Sequence, residues 1–183
     1  MSAPTAPEGA AFAIPTLETE RLQLRAPGPE DFEAFAAFYA SERAAMVGGP
    51  MSRHDAWRAL AGLIGHWRLR GFGRWTVAAR DTGEALGMVG LHFPETWPER
   101  EIAWIVFEAA EGRGIAHEAA LAAREHAYRA LGWTTAVSLI DARNARSQAL
   151  ARRLGARHER DWEHPTAGPL GVWRHPGPGE AAP

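Results

Sequence analysis

The residues with the clearest chemical potential form one short run, Glu111-Gly112-Arg113-Gly114-Ile115-Ala116, between a strand-like segment and an alanine-rich helical one. Glycine has no Cβ, so its backbone can come close to a bulky anion. The first turn of a helix offers amides without intrahelical partners and about half a positive charge. Phosphate therefore binds there with no cationic side chain, and Arg113 could add a charge-assisted contact. Taken alone, Gly112 and Gly114 fit a tight strand-to-helix turn as well as a phosphate cradle. A Rossmann fold would need its glycine fingerprint in the first βα unit, with an acid about 20 residues further on. Here the motif lies past the middle of the chain, after a hairpin. A P-loop needs lysine, and the chain has none.

The elements that position this run are legible from periodicity. Glu101–Phe107 is largely apolar, as a central strand requires. From Ile115 to about Leu131 a helix is expected, with Ile115, Ala119, Ala122, Ala123, Ala127 and Ala130 toward a sheet and His117, Glu118, Arg124, Glu125 and Arg129 toward water. Upstream, Leu17–Arg25 reads as a strand, and Pro29 opens a helix whose apolar face is Phe32, Phe35, Ala36 and Tyr39. Ser52 and Asp55 form a weak capping box for a second helix with a buried stripe of Trp57, Leu60, Ile64 and Trp67, ending at Gly71 or Gly73. Trp75–Ala79 and Ala85–Phe93 flank an Asp81-Thr82-Gly83 turn as a hairpin. Downstream come a strand at Trp133–Ile140, a helix opened by Asn144 and closed by Gly155, and strands near Arg157–Trp162 and Leu170–Arg174. The order β-α-α-β-β-β-α-β-α-β-β is an α/β (α+β) layout in a single domain, residues 16–174. The Ala/Pro-rich residues 1–15 and the segment 175–183 read as disordered tails.

The chain of 183 residues, 46% hydrophobic and 23% charged, is ordinary for one soluble domain. A net charge of -2 gives no reason to expect nucleic acid or an anionic membrane as partner. No apolar run approaches the roughly 20 residues of a membrane span, and the start has no basic signal-like region, so the cytoplasm is the expected location. Cysteine is absent, which excludes disulfides and thiol nucleophiles. The eight histidines are scattered without metal-ligand spacing, so no metal is expected.

Three segments in order resemble the GNAT N-acetyltransferase superfamily, and within it the branch of ribosomal-protein N-terminal acetyltransferases. They are LETERLQLRAPGPEDFEAF (Leu17–Phe35), EIAWIVFEAAEGRGIAHEAALAAREHAYRALGW (Glu101–Trp133) and NARSQALARRLGARHER (Asn144–Arg160). The resemblance implies a GNAT domain with a mixed, mostly antiparallel, twisted sheet of about seven strands, two of them splayed centrally, and about four helices. It implies acetyl-CoA as co-substrate and an amine as acceptor, such as a protein N-terminus or a small molecule. Relatives are often dimers, so a homodimer stays open. The departure is Glu111, where the family pattern has Gln or Arg. A carboxylate cannot donate to phosphate, so its side chain is expected in solvent.

Carried over residue by residue, the resemblance implies that Gly112, Arg113, Gly114, Ile115, Ala116 and His117 present amides to the pyrophosphate. Trp104, Ile105, Val106 and Phe107 would splay from Thr134–Ile140 so that pantetheine lies in the gap. Asn144 and Ser147 match the pantetheine-contacting Asn and a hydroxyl near the leaving sulfur, although both are also ordinary residues for a helix start. Glu101, at the start of the central strand, is the first candidate for a general base, against a solvated or Arg100-paired carboxylate. Asp161, Glu163 and His92 are the runners-up. An amide near Ile105 or Val106 would polarise the thioester carbonyl. The acceptor pocket would lie between Met46–Arg53 and Asp161–Pro169, with Trp75, Trp97, Trp104, Trp162 and Trp173 as candidate lining. An idle acyl-CoA-binding module on the same fold would keep Gly112–Ala116 and Asn144 but lack a working base.

Overall fold

A computed structural model describes residues 13–180, so the expectations for 1–12 and 181–183 lie outside the described residues. The element order is β1 (Leu17–Glu18), β2 (Leu22–Arg25), α1 (Phe32–Ala40), α2 (Arg53–Arg70), β3 (Arg74–Ala79), β4 (Ala85–His92) and β5 (Glu101–Val106). Then follow α3 (Ile115–Arg129), β6 (Val137–Asp141), α4 (Ala145–Arg153), β7 (Arg157–His164) and β8 (Gly168–Arg174). The described strands form one eight-stranded sheet, β1-β2-β3-β4-β5-β6-β8-β7. Every neighbouring pair is antiparallel except β5 with β6.

The sheet has one strand more than expected because Leu17–Arg25 is two strands. Thr19 Oγ1 accepts the Leu22 amide at 3.0 Å, turning the chain back so that Leu17 pairs with Leu24. Before α1, a short 3-10 turn at Pro29–Asp31 buries Asp31 rather than leaving it near a helix end in water. Asp31 accepts from Arg25 Nη2 at 2.6 Å, from Thr76 Oγ1 at 2.6 Å and from the Gly28 amide at 2.9 Å, tying β2, β3 and the turn together. Burial alone would raise its pKa. The hydrogen bonds from Arg25, Thr76 and Gly28 and the Arg25 charge outweigh that and lower it.

Phe32, Phe35, Ala36 and Tyr39 of α1 are buried as expected. They pack with Leu60, Met88, Ile105 and Phe107 on one face of the sheet. In α2 the buried set is Ala56, Leu60, His66 and Trp67, and Trp57 and Ile64 are 52% and 38% exposed. The stripe is rotated because small Ala56 and Ala59 let α2 approach α1, leaving Trp57 to cover Phe32 edge-on at 5.1 Å. Ser52 caps α2 by accepting the Asp55 amide, and Gly71 ends it at φ 76°.

On the other face, α3 lays Ile115, Ala119, Ala120, Ala123 and Ala127 against the sheet core, while Ala130 is exposed past the helix end. Alanine permits this close approach because it adds little beyond the backbone. The contacts run past Arg174. His175 is 2% exposed, its amide donates to Ala136 O at 3.0 Å, and Tyr128 Oη donates to Pro176 O at 2.8 Å. His175 is therefore part of the packed domain rather than of a tail.

Candidate active site

The parallel strands β5 and β6 share one register position, Glu101 with Val137. Two bonds fix this junction: Val137 N–H to Arg100 O at 3.0 Å, and Ser138 Oγ–H to Ile102 O at 2.6 Å. Behind Ser138 stands His175, with Nε2 at 2.9 Å and with Nδ1 at 3.3 Å from Arg124 Nη1. A guanidinium only donates, so Nδ1 accepts and the ring proton sits on Nε2, facing Ser138. Burial, with the Arg124 and Arg174 charges, pushes His175 down to about 3, so the ring is a neutral peg. Beyond this junction the strands part.

On the α3 side of the gap lies a cleft of about 490 Å³. Of the residues assigned to the cofactor, Trp104, Ile105, Val106, Gly112, Gly114, Ile115, Ala116, His117, Asn144 and Ser147 line it. Phe107 and Arg113 do not. Phe107 is buried against Phe38 at 6.0 Å, in the core on the other face of the sheet. Arg113 contributes its carbonyl to Arg21 Nη1 at 3.0 Å.

Gly112 and Gly114 adopt left-handed φ values of 72° and 77°, where a side chain would be strained. Residues 111–114 are exposed, and among the described residues no hydrogen bond takes up the amides of Gly112, Arg113 or Gly114. The amides of Ile115, Ala116 and His117 open α3 and have no carbonyl four residues back within it. The first bond closing the helix runs from Glu118 N–H to Gly114 O at 3.1 Å. The turn is open and electropositive, which fits a diphosphate.

Glu111 is not in free solvent. Its carboxylate pairs with Arg43, from the segment after α1, and with Arg146 Nη1 of α4 at 2.6 Å. All three residues line the cleft. The acid thus gathers two cations at the place where phosphate would sit, through a long-range contact that local sequence does not reveal.

At the gap, Met46, Val47, Trp104, Ile105, Asn144 and Ser147 also line a second cavity of about 720 Å³, so the two cavities adjoin there. Its walls include Met46–Gly49 from one side and His164, Thr166 and Ala167 from the β7–β8 hairpin on the other. Ser52 and Arg53 lie outside it, Arg53 pairing with Glu33. Of the tryptophans, Trp97 and Trp104 line the cavity. Trp75 is core, Trp173 packs with Ile140 and Ala151, and Trp162 backs Trp97 at 5.9 Å.

Glu101 lines this cavity at 5% exposure. It is not paired with Arg100, whose guanidinium lies over Trp133. Trp97 Nε1–H donates to its Oε2 at 2.7 Å, and the Leu139 amide donates to Oε1 at 3.1 Å. Burial raises the Glu101 pKa above the usual carboxylate range against the opposing Arg74 charge and these two bonds. A carboxyl tuned upward in this way suits a base working near neutral pH. Among the runners-up, Asp161 bonds His158 at 2.9 Å, and neither it nor Glu163 lines the cavity. His92 does line it, but burial, with the Arg74 charge and His66, drives its pKa far below the histidine range.

Asn144 Oδ1 caps α4 by accepting the Ser147 amide at 3.1 Å. Ser147 Oγ accepts Trp104 Nε1–H at 3.1 Å, which leaves the hydroxyl proton free to be donated elsewhere.

Residues 21–157 match the model of the acetyltransferase (GNAT) domain. The chain belongs to the GNAT acetyltransferase family. An acetyltransferase from Agrobacterium tumefaciens shares 36% identity at a TM-score of 0.83, covering 93% of this chain and 99% of that one. The Bacillus subtilis N-acetyltransferase YoaA is 26% identical over 151 residues, 80% of this chain and 85% of that protein. The ribosomal-protein acetyltransferase RimL in complex with coenzyme A shares the fold at a TM-score of 0.70 and 19% identity, covering 88% and 97%. The chain is thus an N-acetyltransferase of this family, with acetyl-CoA as acetyl donor.

Periodicity did not single out every residue around these cavities in this acetyltransferase. Arg74 and His66 line the larger cavity beside Tyr39 of the α1 apolar face, and Arg43 lines the cleft beside α3. The available signal for Arg74 was a charge opening a strand whose neighbours, Trp75 to Ala78, are buried. Among the described residues no helix is long and apolar enough to cross a membrane, and no group of three or more His, Asp or Glu could hold a metal.

Proposed function

We propose that the protein moves an acetyl group from acetyl-CoA to a primary amine by direct attack within a ternary complex. The observation that carries this reading is a pair of adjoining cavities. Unclaimed amides of the Gly112–His117 turn border one and the buried Glu101 carboxylate borders the other. The turn holds the diphosphate, and Trp104–Val106 with Asn144 border the channel for the pantetheine arm.

Glu101 receives the proton of the entering ammonium, directly or through one water. Its raised pKa brings it closer to the amine it must deprotonate, and such a base typically contributes about 10²–10⁴-fold. Ser147, oriented by Trp104, donates a proton to the departing thiolate, whose own pKa of about 8.5 makes the demand mild. The test is thiol release from acetyl-CoA across panels of amines and peptides, together with thermal protection by coenzyme A and none by NAD. Absence of both overturns the reading. Protection without thiol release on any amine would favour the idle binding module, for which Glu101 would serve only as partner to Trp97 and Leu139.

A further inference from the structure

The inner wall of the acceptor cavity holds a cation with no carboxylate bonded to it. Arg74, the first residue of β3, lines the cavity together with Tyr39, His66, His92 and Glu101. Gly90 stands opposite it on β4 and adds no side chain there. The Tyr39 hydroxyl lies close enough to the guanidinium to feel its charge. Arg74 Nε has no hydrogen-bond partner, and neither has His92 Nδ1, although both atoms are shielded from solvent. Glu101 feels the Arg74 charge, yet its hydrogen bonds come from Trp97 and Leu139. The other arginine in the lining, Arg143, is committed to Asp141 at 2.6 and 3.0 Å.

Shielded donors without acceptors are costly, and a guanidinium fork matches a carboxylate in shape and charge. His66 is no substitute cation. Its Nδ1 faces Phe72 O at 2.8 Å and its Nε2 accepts the Phe93 amide at 3.0 Å, so it is neutral with the proton on Nδ1.

We propose that the acceptor is a small aminocarboxylate of the free amino acid type, its amine directed to Glu101 and its carboxylate to Arg74, with His92 Nδ1 as a further polar contact. This rests on the acetyl-transfer reading above. The zwitterion matches the pocket charge for charge, ammonium to Glu101 and carboxylate to Arg74. A protein N-terminus offers a neutral peptide carbonyl beside its amine and leaves Arg74 uncompensated. In the reaction the ammonium gives a proton to Glu101, and the nitrogen lone pair forms the bond to the acetyl carbon. The carbon–sulfur bond breaks and the thiolate takes a proton from Ser147, while the second proton that the nitrogen sheds on becoming an amide passes through water to restore Ser147. The product keeps its carboxylate.

The test is steady-state acetylation of free amino acids, the matching carboxamides, and short peptides, by the wild type, Arg74→Gln and Arg74→Lys. A lost charge-assisted contact corresponds to roughly tenfold to a hundredfold. The wild type is expected to prefer acids over carboxamides by that factor in kcat/KM. Arg74→Gln is expected to abolish the preference by slowing acids alone, and Arg74→Lys to restore part of it, with KM for acetyl-CoA unchanged in both. Carboxamides or peptides turning over as fast as the acids in the wild type would overturn the anion seat while leaving acetyl transfer intact. Equal slowing of acids and amides in Arg74→Gln would overturn it too. Thiol release with none of the three classes but with other amines would overturn this proposal and leave acetyl transfer intact, whereas no thiol release with any amine and no protection by coenzyme A would overturn both.

Discussion

Replacing Glu101 by Gln separates its chemical role from its structural one. Its carboxylate accepts two N–H bonds, at 2.7 and 3.1 Å, while 95% of the residue is shielded from solvent, since its exposure is 5%. Bonds to a charged acceptor contribute about 1.5–3 kcal/mol each, whereas burying the charge costs several kcal/mol. The side-chain amide keeps an oxygen for the Leu139 amide, loses the Trp97 bond and removes the buried charge. The balance lies within about 1–2 kcal/mol of zero, which for a domain of this size shifts Tm by no more than about 2–8 °C. Turnover, by contrast, should fall about 10²–10⁴-fold. In the wild type, kcat/KM should decline as pH falls through the raised Glu101 pKa, because the working form is the ionised one, and Glu101→Gln should flatten that limb. Thiol release across pH and a melting curve read both quantities. A variant that keeps its turnover and its acid limb but melts far lower would show that Glu101 only holds β5 to β6.

Three further outcomes follow from the same contacts. Glu111→Gln frees Arg43 and Arg146 beside the phosphate seat, and calorimetric titration should show coenzyme A binding about twofold to fivefold tighter, as loss of a half-exposed ion pair allows. Asp31→Asn leaves Arg25 without its buried partner and should cost about 3–5 kcal/mol in denaturant unfolding. In the wild type this contribution is present above the unfolded carboxylate pKa and is lost as pH falls through the lowered folded value. Ser147→Ala removes a hydroxyl whose task is easy, and kcat should fall by about tenfold or less, with a stability loss of about 1 kcal/mol as Trp104 Nε1–H loses its acceptor while the Asn144 cap to the backbone amide persists.

The parts of the fold that local pattern controls were legible in the residues. Glycines at left-handed positions marked the turn before α3, the alanine repeat marked the sheet-facing side of α3, and Ser52 and Asn144 marked helix starts. What stayed hidden depends on partners distant in sequence. Trp57 fell on the periodic apolar stripe of α2, but small Ala56 and Ala59 decided which face of α2 meets α1. Glu111 looked solvated because its partners Arg43 and Arg146 are distant in sequence. His175 looked like tail, yet Ser138 and Arg124 enclose it and make it part of the β5–β6 junction. Arg74 carried no motif at all, and its place in the larger cavity follows only from the packing of α1, α2, β4 and β5 around it.

The turn that opens α3 is where acetyl-CoA would be held by its diphosphate, and amide resonances report on it residue by residue. Titrating the protein with coenzyme A should move the amide signals of Gly112 through His117 strongly, while pantetheine, which lacks the diphosphate, should leave them nearly in place. Equal shifts with both ligands, or shifts confined to other parts of the sheet, would contradict the assignment of those amides to the diphosphate.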